Sequence, residues 1–402
     1  MKFIAQLFII TCFFPYLDFL KIGTDTQPNA LMLGLLIFLG VRNKKINSPL
    51  ILLWATFFIS IFLIFFNNLS FFFYLKNTLN YLSPAMVATT TYLILNQMKY
   101  KLSFKVFYMM MLIYCMVGLV QMYFIPDFMY FLVNGEGRGS MVGGRGVVSL
   151  SAEPAFYGTT CILFICYSLL QYTKRQNFWV IGLLLFQLFF ISRSATAIAI
   201  LLFGLGIFTV IQIFRLKFKY VLGVIVFILI ATPIMLNYWN KIETTRAGVL
   251  AQTFVENPLL ITKLDGSVGI RFTGTVAPFL SMRHHYMKPQ GLGYYIEFLR
   301  GFRKKRLYNS FLSVNNSEKK PRISGSLNMV LYQLGFLGLL FPLAIYLAFR
   351  GQLRQDSILL SFILLIVTMM TQIQMMNGMI GYILGTAINR GKHLSEKSST
   401  KS

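Results

Sequence analysis

The chain predicts an all-α polytopic membrane protein of about 11–12 transmembrane helices with one large extracytoplasmic loop. Three observations lead there. Its 402 residues are 56% hydrophobic and only 12% charged, with a mean hydropathy of +0.66, outside the balance of water-soluble domains. Apolar runs long enough to cross a bilayer recur along the whole length. The short connections rich in lysine and arginine fall at every second gap between those runs.

In chain order the spans fall near 3–20, 28–41, 49–67, 79–97, 106–125, 154–173, 177–192, 195–214, 220–238, 326–349 and 357–387. The first run follows Lys2 and superficially resembles a secretory leader. It continues through Pro15-Tyr16-Leu17 without a small-residue cleavage site, so it is expected to stay as a span. The last run is too long for one ordinary helix, and its polar centre, Thr371-Gln372-Ile373-Gln374, is where it would divide. The four cysteines (Cys12, Cys115, Cys161, Cys166) all lie in apolar runs and have the character of small core residues, with no zinc spacing among them.

Charge sets the expected orientation. With the N-terminus in the cytoplasm, the inner connections are Arg42/Lys44/Lys45, Lys99/Lys101/Lys105, Lys174/Arg175, Arg215/Lys217/Lys219 and Arg350/Arg354. Together with Lys2 and the tail (Arg390, Lys392, Lys397, Lys401), that face carries 18 basic residues against Asp356 and Glu396, as the positive-inside rule requires. The chain then divides into an N-terminal bundle over 1–238 (about nine helices, with an outer loop at 126–153), a large extracytoplasmic loop over 239–325, C-terminal helices over 326–389 and a basic cytoplasmic tail over 390–402. Topology explains most of the net charge of +25, so nucleic acid is not an expected partner; the lipid bilayer is.

The two outer connections carry the unusual residues. Loop 126–153 ends in Arg138-Gly-Ser-Met-Val-Gly-Gly-Arg145-Gly-Val-Val-Ser-Leu-Ser-Ala-Glu153-Pro154. Loop 239–325 holds 14 Lys/Arg against five acids, among them Arg271, flanked closely by Gly269 and Gly274. Arg193, in Ser192-Arg193-Ser194, occupies a tight turn between two spans where positive-inside topology gives an arginine no reason to be. Arginines gathered on one outer face point to an anion, and in a bilayer the natural one is a lipid phosphate or diphosphate. Headgroup snorkelling is the plain alternative. Glu153 before Pro154 is good helix-start chemistry; it is also placed to accept a proton from a hydroxyl or to orient Arg145. His284 and His285 lack further ligands at metal-binding spacing, and no Asp-x-Asp pair occurs, so neither metal nor cofactor is expected. The spans are nearly free of charge and show no internal repeat, which argues against a transporter; Lys76 near Pro84 is the one feature favouring transport.

Four pieces carry a family likeness: Arg145…Ser151-Ala152-Glu153-Pro154, the Ser-Arg-Ser turn at Arg193, Pro289-x-Gly291-x-Gly293, and Ser326-Leu327-Asn328-Met329 leading into Gly335-Phe336-Leu337-Gly338. With them the chain resembles bacterial O-antigen and related surface polysaccharide polymerases. The resemblance implies a metal-independent glycosyltransferase acting on undecaprenyl-diphosphate-linked oligosaccharide at the outer face of the cytoplasmic membrane, with a chain-length regulator as a further partner. It implies that Arg145 and Arg271, then Arg138 and Arg193, hold the diphosphate. Glu153, followed by His284 or His285, is then the base for the acceptor hydroxyl. O-antigen ligases share the architecture but carry a histidine just before the span that follows the large loop. Here that stretch reads Ser324-Gly325-Ser326-Leu327-Asn328 without one, which favours the polymerase, while His284 and His285 keep the ligase as the alternative.

The orientation is directly testable. Ser140→Cys and Ser317→Cys variants should react with a membrane-impermeant thiol reagent in intact cells or spheroplasts. Protection of both positions until lysis would reverse the topology and remove the outer-face chemistry.

Overall fold

The computed structural model describes residues 1–19, 26–42, 46–64, 71–133, 146–215, 266–291 and 323–399, with scattered positions between 222 and 299. Arg138, Arg145, Arg303–Arg306 and nearly all of the expected ninth span at 220–238 lie outside the described residues. Among the described residues the chain is helical, with one isolated antiparallel bridge, Leu17 to Val133.

The helices are α1 (Lys2–Phe13), α2 (Asn29–Gly40), α3 (Ser48–Ile64), α4 (Phe71–Asn96), α5 (Phe104–Tyr123), α6 (Pro154–Gln171), α7 (Lys174–Phe186, continued by a π turn Gln187–Ser192) and α8 (Ala195–Phe214). Further along the chain come α9 (Gly266–His284), α10 (Ser326–Leu334), a 3₁₀ turn Gly335–Leu339, α11 (Leu340–Phe349), α12 (Asp356–Thr371) and α13 (Gly378–Ser399). Five of these segments, counting α7 with its π turn and α10 through Gln352 as one each, are long and apolar enough to cross a membrane. α1, α2, α3 and α12 are shorter apolar helices. The protein is an all-helical, multi-pass membrane protein.

Several boundaries depart from the sequence reading, each for a local reason. α1 ends at Phe13 rather than near residue 20, because the residue before Pro15 is pushed out of the helical region, and Phe14 takes φ −119°. The run at 357–387 does divide: α12 stops at Thr371 and α13 starts at Gly378. The expected single span at 326–349 is broken at Gly335, whose φ is +58° and whose missing Cβ would lie 2.2 Å from the Met287 carbonyl oxygen. α13 stays helical through Ser399, so the expected tail at 390–402 begins as helix.

α6 is the centre of the bundle. Every residue from Ala155 to Leu170 is buried, so its surroundings are protein on all sides. Its threonine hydroxyls are satisfied within the helix, Thr159 donating to the Ala155 carbonyl and Thr160 to that of Phe156, both at 2.8 Å. α5 and α8 instead expose apolar faces, including Met109, Ile113 and Met116, and Leu202, Phe203 and Val210, which hydrocarbon accepts without cost. α13 packs closely on α4 because Gly381 and Gly385 face Val87, the Ala88 carbonyl and Thr91 where no side chain would fit.

One end of the bundle gathers the basic connections. Arg390 donates to the Leu170 carbonyl at the end of α6 and, at 3.0 Å, to Gln355; Lys392 reaches Asn96 at 3.1 Å. Arg215 donates to the Leu353 carbonyl at 3.3 Å. Cations beside the last carbonyls of α6 and the α11–α12 connection complement the negative helix ends. The opposite end holds the starts of α6, α8 and α10, and there the candidate site is built.

Candidate functional site

The segment leading into α6 is held by side chains from the helices around it. Gln121 of α5 clamps Ser149 from both sides: its Oε1 accepts from the Ser149 N–H at 2.7 Å, and its Nε2 donates to the Ser149 carbonyl at 3.1 Å. The Ser149 hydroxyl donates to the Tyr114 carbonyl at 2.7 Å. This grip holds Ser149 at φ +52°, a left-handed conformation costly for a serine. Val147 donates its N–H to the Ile191 carbonyl at 3.1 Å, and Gly146 lies against the backbone of Ser192 so closely that a Cβ would meet the carbonyl oxygen at 2.1 Å. The residue following Arg145 in the chain is thus seated on the Ser192-Arg193-Ser194 turn.

That turn is itself irregular. α7 ends in a π turn, a form associated with functional sites, and Arg193 follows at φ +44°. Tyr157 of α6 braces the π turn by donating to Gln187 Oε1 at 2.8 Å. Ser194 caps α8, accepting from the Ala197 N–H at 3.2 Å. Arg193 is exposed, and its Nε donates to the Phe190 carbonyl at 3.1 Å, so its guanidinium is anchored to its own turn.

Glu153 is the N-cap of α6 with Pro154 at the first helical position, as the sequence reading expects, yet its carboxylate makes no capping bond. Oε2 instead accepts from Arg271 Nη2 at 3.2 Å, an ion pair across 118 positions of chain. Arg271 Nη1 donates to the Thr196 hydroxyl at 3.0 Å, in the first turn of α8. One guanidinium therefore joins the N-terminal ends of α6 and α8. Both helix ends carry partial positive charge, and with Arg271 they make a strongly electropositive corner in which Glu153 is the counter-anion.

α9 delivers Arg271 by a specific device. Pro278 has no N–H, so the Gly274 carbonyl, four residues earlier, has no intrahelical donor. Ser324 supplies one at 3.0 Å and ties α9 to the chain entering α10. An apolar cluster of Ala277, Tyr295, Leu299 and Tyr332 sits beneath it. Burial, with Tyr332 beside it, pushes the Tyr295 phenol above its ordinary value, so it stays protonated at neutral pH. Beyond α9, Met287 and Gly291 pair with the broken part of the α10–α11 span: Phe336 N–H to the Met287 carbonyl at 2.8 Å and Gly291 N–H to the Gln333 carbonyl at 3.0 Å.

The sequence reading places Arg271 in the loop over 239–325, closely flanked by Gly269 and Gly274; within that stretch it is the sixth residue of α9, a regular helix, and only its side chain is offered. Glu153, which the sequence reading offers as a proton acceptor or as the group that orients Arg145, forms an ion pair with Arg271. His284 is the last residue of α9 and His285 follows it, about 20 Å along the helix from Arg271, so the structure does not bring them to the ion pair. Arg138 and Arg145 lie outside the described residues. Thr196 is the residue the sequence reading passed over; its signal was its place two residues after Ser194 at the start of a span. Among the described residues no group of three potential metal ligands occurs. No protein-family model and no curated protein matches the chain.

The seating of Gly146 gives a paired stability test. Gly146→Ala must displace the Ser192 backbone, costing about 1–3 kcal/mol. Gly182→Ala in α7 meets open space and gains helix propensity, about 0.5–1 kcal/mol. Thermal unfolding in detergent should show Gly146→Ala lowered and Gly182→Ala unchanged or raised; equal midpoints would mean segment 146–152 is not fixed on the turn.

Proposed function

We propose that this protein polymerises undecaprenyl-diphosphate-linked oligosaccharide repeat units into a surface polysaccharide at the outer face of the cytoplasmic membrane. The observation that carries the reading is the meeting of Arg271 and Glu153. A guanidinium from the second outer connection and a carboxylate ending the first stand 3.2 Å apart at two helix N-termini. Transfer of a sugar from a diphosphate needs two things at one place: a cation for the charge that develops on the leaving group, and an acceptor for the proton of the attacking hydroxyl.

On this reading the basic end of the bundle is cytoplasmic and the Arg271 end faces outward. Helices α1 to α8, a ninth span at 220–238, α10 with α11, α12 and α13 make twelve crossings with both ends of the chain inside. The growing glycan leaves its lipid carrier and joins the next lipid-linked unit. Arg271 holds the diphosphate and Glu153 takes the proton; Arg145, which precedes Gly146 in the chain, is the second guanidinium this reading assigns to the diphosphate. The stretch Ser324–Asn328 without a histidine favours polymerase over ligase.

Loss of the protein should leave surface glycan of a single repeat unit, still exported and transferred onward, as judged by gel profiles of extracted polysaccharide. Long lipid-linked chains accumulating instead would mean a ligase, and repeats stranded in the cytoplasm a flippase. Arg271→Lys keeps charge but loses the bidentate fork, and should cost about 2–4 kcal/mol, a hundredfold or more in polymerisation, at normal membrane level. Arg303→Lys, in the basic run Arg303-Lys304-Lys305-Arg306 that this reading takes as a solvated or headgroup-facing patch needing only charge, should be nearly silent, and equal tolerance at both positions would make Arg271 a structural anchor only.

A further inference from the structure

Resting on the polymerase reading, we propose that Glu153 is a resident anion which the lipid diphosphate displaces from Arg271, so that donor binding itself uncovers the proton acceptor. The two roles assigned to these residues conflict while the ion pair is formed. A carboxylate whose Oε2 is 3.2 Å from Arg271 Nη2 occupies a direction a phosphate oxygen needs, and while held there it is turned toward a cation and not toward an incoming hydroxyl.

Three features make displacement workable. The side chains of Arg271 and Glu153 remain 23% and 26% exposed, and an ion pair that wet is weak enough for a more highly charged diphosphate to exchange with it. Thr196 is neutral and holds Nη1 at 3.0 Å, so the guanidinium keeps its place when its anion changes. Glu153 stands at the start of α6 with its capping role unused, so a displaced carboxylate stays beside the positive end of that helix, within the same corner.

The chemical step then runs in one order. Diphosphate oxygens take the Arg271 fork and Glu153 turns to the acceptor sugar. The acceptor hydroxyl gives its proton to Glu153 as its oxygen bonds to C1 of the donor glycan. The C1–O bond to the diphosphate breaks, and its electron pair remains on the diphosphate, where Arg271 meets the added charge. The proton leaves Glu153 for water as undecaprenyl diphosphate departs. Without donor, Glu153 stays engaged with Arg271, and an acceptor or a water meets no base.

The test is a split between binding and rate. Wild type, Glu153→Gln, Arg271→Lys and the double variant are placed in lipid nanodiscs, and binding of undecaprenyl diphosphate is titrated beside inorganic diphosphate. Glu153→Gln removes the competing charge and should bind the lipid about two- to fivefold more tightly, while repeat-unit transfer falls about a hundredfold or more. In the Arg271→Lys background the same substitution should change affinity less. Glu153→Asp, one methylene shorter, should also tighten binding and serves if the glutamine variant does not fold. Unchanged or weaker binding in the Glu153 variants, with wild type active, would make the carboxylate a structural tie and overturn the inference alone. Wild type that neither binds the lipid nor transfers would overturn the functional reading beneath it. Inorganic diphosphate binding as tightly as the lipid would replace the lipid-borne ligand with a free anion.

Discussion

The end of the bundle opposite its basic connections is organised around one guanidinium. Arg271 comes from α9 and reaches the starts of α6 and α8, ending on Glu153 and Thr196. By itself the ion pair contributes little, about 0–1 kcal/mol, because both partners are partly in water. The stability of the junction lies elsewhere, in the Ser324–Gly274 backbone bond and the Ala277–Tyr295–Leu299–Tyr332 cluster that seat α9. The pair's contribution is direction: it fixes where the guanidinium points, which a catalytic or binding site needs more than stability.

Strain gathers at the same place. Ser149 and Arg193 both sit in the left-handed region, and a π turn precedes Arg193. Such conformations cost on the order of 1–3 kcal/mol each and persist only where surroundings over-determine them. Here the compensation is identifiable: Gln121 grips both backbone groups of Ser149, Tyr157 braces Gln187, and Gly146 lets the two strained segments touch. The result brings the segment leading into α6, the α7–α8 turn and Arg271 into one region around the start of α6.

Much of the helical frame was readable from residue pattern alone. α8 occupies the expected 195–214, and the polar interruption at Thr371–Gln374 does end α12. The early end of α1 was missed, although its signal was present: Pro15 disfavours helix at the residue before it. The site was legible only as a set of parts. Glu153, Arg193 and Arg271 stand out because charge at an outer boundary needs a reason, but which carboxylate meets which arginine depends on a long-range fold. The pairing of Glu153 with Arg271 could not be read from the sequence, because 118 positions of chain separate them. The same limit explains the histidines: nothing in His284-His285 reveals that a helix carries them about 20 Å from Arg271. Thr196 looks like any threonine at a helix start until a guanidinium is placed against it.

The central claim is that α9 lies across the N-terminal ends of α6 and α8 with Arg271 at their junction. Cross-linking tests it most directly. In a background with Cys12, Cys115, Cys161 and Cys166 replaced, Thr196→Cys and Arg271→Cys are introduced together, along with a protease site in the 239–265 stretch between them. A short bis-maleimide applied to membranes should join the two halves, so that they remain one band after cleavage, while Thr196→Cys paired with a cysteine at Arg283, near the far end of α9, should not. Separation of the halves in the Thr196–Arg271 pair, with both cysteines shown to be reactive, would contradict the placement of α9.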